Sequence, residues 1–408
     1  MYLASTRAAR PTHQPAAAAV PVSGTVVALG LVSLVTDASA EMVTAVLPLY
    51  LMYGLGMGYL QLGMLDGLYT GATAMLRLGG GYLADRLGHP KGVAAAGYGL
   101  SALTKLGFPL VGASATGIGL VVGVDRAGKG IRTAPRDALI TASMPAAALG
   151  RAFGVHRTMD TAGALLGPLL VFALLTSVAG GYDVVFSTSF CLAVVGVLIL
   201  LFFVRSPAVA PRAERPRPRV GEVFRDRRLR RACLAAGVLG LATVGDMFLY
   251  VSVQQTAALP RHVLPLLPLG TAGAFMLAAT PVGRLADRVG RWRLFLAGHA
   301  VLLVAYLLLI AGSGLGWGVA IVVLVLHGLF YAATDGVLMA YAGPLLAAPV
   351  RATGLAVVQT TQALTRAGGA VGFGVLAELA APGAAFAVFG LALVAALALA
   401  AQLAKEAS

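Results

Sequence analysis

The 408-residue chain is 59% hydrophobic and 11% charged, against about 45–50% apolar and about 25% charged in an ordinary soluble domain. A mean hydropathy of +0.87 excludes a soluble fold and indicates a membrane protein. The net charge of +14 would by itself suit a nucleic-acid partner, and two cysteines, Cys191 and Cys233, are too few for a disulfide-built fold or a multi-cysteine metal site.

Residues 1–22 carry Arg7, Arg10 and His13 among Ala, Pro and Ser and run into an apolar stretch long enough to span, so they read as a cytoplasmic tail rather than a cleaved signal peptide. A spanning helix needs about 20 mostly apolar residues. Twelve windows qualify: 24–54, 59–83, 93–112, 117–138, 153–177, 184–205, 232–255, 263–283, 293–312, 317–341, 353–378 and 383–404. They imply an all-α integral membrane protein of twelve transmembrane helices in two six-helix bundles, 23–205 and 232–404, with residues 405–408 as a short C-terminus.

Between the bundles, 206–231 reads as a basic linker. From Arg205 to Arg231 ten arginines stand against Glu214, Glu222 and Asp226 among four prolines, a net of +7 and half the protein's charge. Such a stretch is solvated and lies against anionic headgroups. With both termini and this linker cytoplasmic, the loops on that face hold Arg86, Lys91, Arg136, Arg151, Arg284, Arg288, Arg291, Arg293 and Arg351, whereas the opposite face holds Arg261. The positive-inside rule accounts for the charge, and a nucleic-acid partner is rejected.

Inside the spans, charge is costly, about 2.5–3.5 kcal/mol per residue on insertion scales, so each buried polar face needs a reason. Span 1 carries Asp37 and Glu41 one turn apart, with Thr44 on the same face; carboxyls near mid-bilayer can take up and release a proton as their surroundings alternate. Asp66, Thr70, Thr73 and Arg77 share a face of span 2 that is equally well a packing seam. On span 4, Asp125, Lys129, Arg132 and Arg136 fall at i, i+4, i+7 and i+11, one helical face, with Arg126 beside them. Asp246, Tyr250 and Gln254 repeat the pattern on span 7, His327, Tyr331 and Asp335 on span 10, and Gln359, Gln362 and Arg366 on span 11, the last as ambiguous as span 2.

The halves repeat. Gly81-Tyr-Leu-Ala-Asp85-Arg86-Leu-Gly88 recurs as Gly283-Arg-Leu-Ala-Asp287-Arg288-Val-Gly290, an offset of 202, and Arg151-Ala-Phe-Gly154 as Arg351-Ala-Thr-Gly354, an offset of 200. From about Gly24 onward the chain resembles the major facilitator superfamily, whose signature is this Gly-x-Leu-Ala-Asp-Arg-x-Gly loop. His89-Pro90-Lys91 replaces the usual basic pair in the first copy, whereas Arg291-Trp292-Arg293 keeps it in the second. The resemblance implies pseudo-symmetric halves, a cavity lined by the first and fourth helices of each, and a cytoplasmic gate at Gly81, Asp85, Arg86, Gly88, Gly283, Asp287, Arg288, Gly290 and Arg291. Gly154, Gly163 and Gly167-Pro168 look like the fifth-helix packing motif of the drug/proton antiporter branch, and Val124-Asp125-Arg126 with Lys129 like its fourth-helix motif, Lys129 standing for the customary glutamine. Thr36-Asp37 through Glu41-Met42, and Asp125 through Leu139, are also similar to a group of bacterial permeases.

The expected protein is therefore a secondary transporter of the bacterial cytoplasmic membrane, not an enzyme, working as a monomer by alternating access. Its expected partners are a small organic substrate, protons and membrane lipid. No cofactor or metal is expected: the two cysteines leave no multi-cysteine metal site, and with no Gly-x-x-x-x-Gly-Lys-Ser/Thr phosphate loop for ATP the proton motive force would supply the energy. Asp37 and Glu41 are the candidate proton carriers. Asp125, Arg126, Lys129, Arg132, Asp246, Tyr250, Gln254, His327, Tyr331 and Asp335 are the candidate cavity or relay groups. Proton-driven export is the preferred direction; symport or facilitated uptake of an organic anion, suggested by the cationic face of span 4, and a non-transporting sensor are the alternatives.

Overall fold

Apolar composition makes the helices long, while caps and prolines decide where they start. The structure is a computed structural model describing residues 21–72, 89–145, 148–178, 180–205, 227–311, 316–345 and 351–405. Helix α1 (Gly24–Leu49) begins at Ser23, whose Oγ accepts from the Val26 N–H at 3.3 Å, meeting one of the donors a helix start leaves open. It continues into a π-turn at Tyr50–Gly54. A helix over 59–72 (α2) follows. Pro90 opens α3 (Pro90–Val111), where its missing N–H costs nothing. Ser114 caps α4 (Ala115–Ala142) through the Gly117 N–H at 3.1 Å. Then come α5 (Leu149–Ser177) and α6 (Tyr182–Phe203).

The second group comprises α7 (Arg227–Leu241), α8 (Asp246–Thr256), a 3-10 turn at Arg261–Leu266, α9 (Leu267–Val289), α10 (Arg291–Ala311), α11 (Gly316–Ala342), α12 (Arg351–Ala380) and α13 (Pro382–Lys405). The seventh expected span is thus two helices. Between them the Val244 N–H leaves the helical ladder and donates to Tyr306 Oη at 2.7 Å. No strand occurs among the described residues.

In the first group α1 packs on α5 and α6, and α3 on α4 and α6; in the second, α11 packs on α9 and α10, and α12 and α13 on α7. Eight described helical segments are long and apolar enough to cross a membrane. Helices α3, α4 and α12 are of spanning length at 22, 28 and 30 residues but more polar, because α3 and α4 hide charge inside the protein: Lys105, Asp125, Arg126 and Arg132 are all 4% exposed or less. The rest of the second expected span, the first gate copy Gly81, Asp85, Arg86 and Gly88, and most of the tail and linker lie outside the described residues. Outward, Leu110, Phe202, Leu277 and Leu379 are 77–84% exposed, which suits hydrocarbon and not water.

Helix α5 lies on α1 through glycine. A Cβ on Gly163 would run into the Leu34 carbonyl oxygen, and one on Gly167 would lie 2.8 Å from that of Ala38. Backbones approach this closely only across small residues. Gly154, at the other end of the expected motif, has nothing within 4 Å. Gly163→Val is therefore expected to cost about 1–3 kcal/mol through overpacking, lowering the thermal unfolding midpoint of the detergent-solubilised protein, and Gly154→Ala to leave it unchanged.

Candidate functional site

Helix α4 carries most of the buried charge, and its sequence fixes the order of the pairs. Asp125 points to α3: its Oδ1 is 2.5 Å from Lys105 Nζ and accepts from Ser101 Oγ at 2.6 Å, while Oδ2 pairs with Arg126. The Arg126 guanidinium lies 3.9 Å from the centre of the Tyr69 ring, a favourable place for a desolvated cation. One turn on, Lys129 Nζ is 4.0 Å from Glu41 Oε1. Arg132 then reaches Asp37 Oδ1 at 3.2 Å and covers the Tyr98 ring at 4.3 Å, and Arg136 pairs with Asp137 at 3.0 Å and lies 3.9 Å from Asp160. The single face expected from the spacing is in fact a fan toward α3, α1 and α5, because Lys105 of α3 and carboxyls on α1 and α5 draw its members apart.

Behind Asp37, a serine joins two carboxyls. Ser33 Oγ is 2.9 Å from Asp37 Oδ2 and 2.8 Å from Asp160 Oδ1. A hydroxyl has one proton to donate. Both contacts are hydrogen bonds only when one carboxyl carries a proton and donates it to Ser33, so the cluster has a place for one proton. Arg157, 3.2 Å from Asp160 Oδ2, closes the cluster on its exposed side.

Between the two helix groups lies a cavity of about 360 Å³, at the small end of ligand sites. Glu41, Asp66 and Tyr69 line it from the first group, and Asp246, Tyr250, Tyr331 and Arg366 from the second. Asp246, at the start of α8, accepts from Tyr331 Oη at 2.7 and 2.8 Å, with His327 Nε2 at 3.4 Å. Arg366 stands over the Phe330 and Tyr331 rings at 5.3 and 5.2 Å. Asp66 is 5% exposed, lies against Gly245, and its Oδ2 has no hydrogen-bond partner.

At one end a seam joins the groups. Tyr53 Oη donates to Gln254 at 2.7 Å and Tyr59 Oη to Gln255 at 3.1 Å, while Glu378 of α12 accepts from the Tyr59 N–H at 2.7 Å at the start of α2. Arg261 covers the Tyr53 ring at 4.4 Å. A carboxylate at a helix start stabilises it through open N–H groups and the dipole, here across the two groups. Glu378→Ala should open this seam: a cysteine at Thr70, in a background without Cys191 and Cys233, should react several times faster with a maleimide applied from that end, and an unchanged rate would show that Glu378 does not hold it shut. At the other end, Arg291 pairs with Asp287 at 3.0 Å and donates to the Ala340 carbonyl at 2.8 Å. Gly290 there has φ +99°, a conformation that favours glycine.

The cavity thus unites Glu41, Asp246, Tyr250 and Tyr331 of the expected residues. Asp37 and Arg132 sit in the serine cluster, and Asp125 with Arg126 in the α3–α4 interface. Gln254 belongs to the seam, His327 is buried behind Asp246, and Asp335 is exposed away from the cavity. Gly283 and Arg288 lie with Asp287 on α9. Lys105, Ser33, Asp160 and Tyr69 escaped the sequence reading. Lys105 was signalled as a lone charge in an apolar window and Asp160 as a carboxyl three residues after Arg157 in another; Ser33 and Tyr69 carried no signal of their own.

The Major Facilitator Superfamily model matches residues 29–370. An uncharacterized MFS-type transporter of Methanocaldococcus jannaschii is 30% identical over 358 residues, covering 84% of this chain and 86% of its own. Among solved structures, the nucleoside transporter NupG superposes with a TM-score of 0.82 at 13% identity, over 94% of this chain and 100% of that one. A bacterial homolog of the human lysosomal transporter Spinster, inward-facing and occupied, gives 0.71 at 14% identity over 93% and 96%. These two likenesses speak for the fold, and the family match and the archaeal relative for descent: the chain belongs to the Major Facilitator Superfamily, a multi-pass membrane protein of a family that transports small solutes.

Proposed function

We propose that this protein is a proton-driven exporter of a small organic compound in the bacterial cytoplasmic membrane. It has twelve spans in two pseudo-symmetric halves and both termini in the cytoplasm, and works as a monomer by alternating access. The single observation that carries proton coupling is the Ser33 bridge between Asp37 and Asp160, which provides a place for one proton next to Arg132. Glu41 lines the cavity and faces Lys129, so it is the carboxyl able to pass that proton on. Arg126 and Lys129 bias the carboxyls, and Asp85 and Asp287 control the cytoplasmic gate. The seam at Gln254 and Glu378 supports an inward-facing state.

Uptake of an organic anion draws less support. The cations of α4 that suggested it are met by carboxylates: Arg126 by Asp125, Lys129 by Glu41, Arg132 by Asp37 and Arg136 by Asp137.

The test has two stages. Deleting the gene and comparing intracellular and medium metabolites, with a toxic-compound growth panel, should yield compounds that accumulate inside the deletion strain. Those compounds should then accumulate in inverted vesicles with an acid interior and fail to do so without a pH gradient. Accumulation driven by the opposite gradient would establish symport instead, and binding without flux a sensor.

A further inference from the structure

The cavity between the helix groups is lined by one cation, Arg366 of α12, among the carboxyls Glu41, Asp66 and Asp246. Each of the three is engaged elsewhere. Glu41 faces Lys129 at 4.0 Å, Asp66 is buried against Gly245, and Asp246 accepts from Tyr331 Oη at 2.7 and 2.8 Å with His327 Nε2 at 3.4 Å. Arg366 is left with ring contacts, 5.3 Å to Phe330 and 5.2 Å to Tyr331, and makes no ion pair or hydrogen bond among the described residues.

That sets it apart from the cations of α4, each of which has a carboxylate. A guanidinium keeps its charge and carries five N–H donors in a planar fork. Aromatic faces attract the charge but supply no oxygen to accept from those donors, and burying a cation short of acceptors is costly. The donors are not sealed in. Arg366 is half-buried, and its nitrogens are not among the enclosed unpaired atoms, which include Arg126 Nε and Asp66 Oδ2. Much of the remaining wall is apolar, with Ala45, Pro48, Val244, Met247 and Leu264.

We infer that the cavity binds a small organic monocarboxylate, its two oxygens accepting from the Arg366 fork and its apolar body lying along that wall. A carboxylate matches the planar fork with two parallel hydrogen bonds, and a single negative charge is what one guanidinium can meet. A second would stand near Asp246 with no cation to answer it, so dicarboxylates should bind less well. This rests on the transporter reading above, and narrows the exported compound to a carboxylate of modest size. Arg366 belongs to the second helix group and Ala45 and Pro48 to the first, so the bound anion touches both.

The test uses the full chain in detergent without any gradient. Two matched sets are titrated while thermal unfolding is followed: 3-phenylpropionate, its amide and phenethylamine; and hexanoate, hexanamide and pentylamine. Phenylsuccinate supplies a dicarboxylate. The monocarboxylates should raise the unfolding midpoint, the dicarboxylate and the amides less so, and the amines not at all. Arg366→Gln, checked for a monodisperse elution profile, should weaken carboxylate binding about tenfold to a hundredfold, the range for a charge-assisted hydrogen bond. Arg366→Lys, which keeps the charge and loses the fork, should fall between. Stabilisation by the amines, equal stabilisation by the amides, or none by either monocarboxylate overturns the site whether or not the variants fold. Equal carboxylate binding by wild type and a folded Arg366→Gln overturns the role of Arg366. Carboxylate binding without proton-driven flux would end the exporter reading and keep the site; proton-driven flux of compounds that are not carboxylates, with no carboxylate binding, would do the reverse.

Discussion

Asp37→Asn and Glu41→Gln are each expected to abolish concentrative transport driven by a pH gradient while substrate exchange at equal pH persists. One proton moving down about 150 mV carries roughly 3.5 kcal/mol at about 2.3 kcal/mol per 100 mV, enough for a gradient of a few hundredfold. Losing the coupling should collapse that ratio to about one without emptying the binding site. An amide at position 37 can still hydrogen-bond to Ser33 and face Arg132, so the cluster keeps its shape and loses its titration. Flux in pH-clamped proteoliposomes, with and without a gradient, measures both quantities. If both variants keep full proton-driven transport, neither carboxyl carries the proton.

The second large effect concerns stability. Lys105, Asp125 and Arg126 form a buried triad with two cations and one anion. Asp125→Asn strands both cations, and breaking a buried pair by removing one partner costs about 3–5 kcal/mol. Lys105→Met instead leaves a neutral Asp–Arg pair whose carboxylate keeps the Ser101 and Thr104 hydroxyls as donors, and should be close to neutral. The variants are thus expected to differ in sign or nearly so, although each deletes one charge from the same contact. Thermal unfolding of the purified proteins distinguishes them, and Lys105→Met added to Asp125→Asn should restore part of the loss. Equal destabilisation by the two single variants would mean that geometry, and not charge, governs the site.

Much of the helical plan was legible because spanning demands long apolar runs, a signal that does not depend on neighbours. The break between α7 and α8 was not, since residues 242–245 are as apolar as their surroundings; the Tyr306 hydroxyl that captures the Val244 N–H comes from 62 residues away. The site divides in the same manner. Asp37 and Glu41 announced themselves as carboxyls where charge is costly. Their partners did not, because helical periodicity relates residues within one helix and is silent about which helix stands opposite. Lys105 and Asp125 are 20 residues apart and touch, whereas Asp125 and Arg136 share a face in projection and pair with different helices. Asp66 and Arg366 looked like seam residues for want of their common neighbour, the start of α8.

The glycine contact between α1 and α5 has a mechanical consequence. With Gly163 and Gly167 set against the Leu34 and Ala38 carbonyls, the two helices cannot slide along each other without driving side chains into backbone. They behave as a single rod. Asp37 and Asp160 ride on that rod at a fixed separation, with Ser33 between them. Arg132 belongs to α4, which touches this rod far less closely than it does α3. The guanidinium thus sits on a different element from the carboxyl pair, so a proton gained or lost by the pair would be felt as a pull on α4.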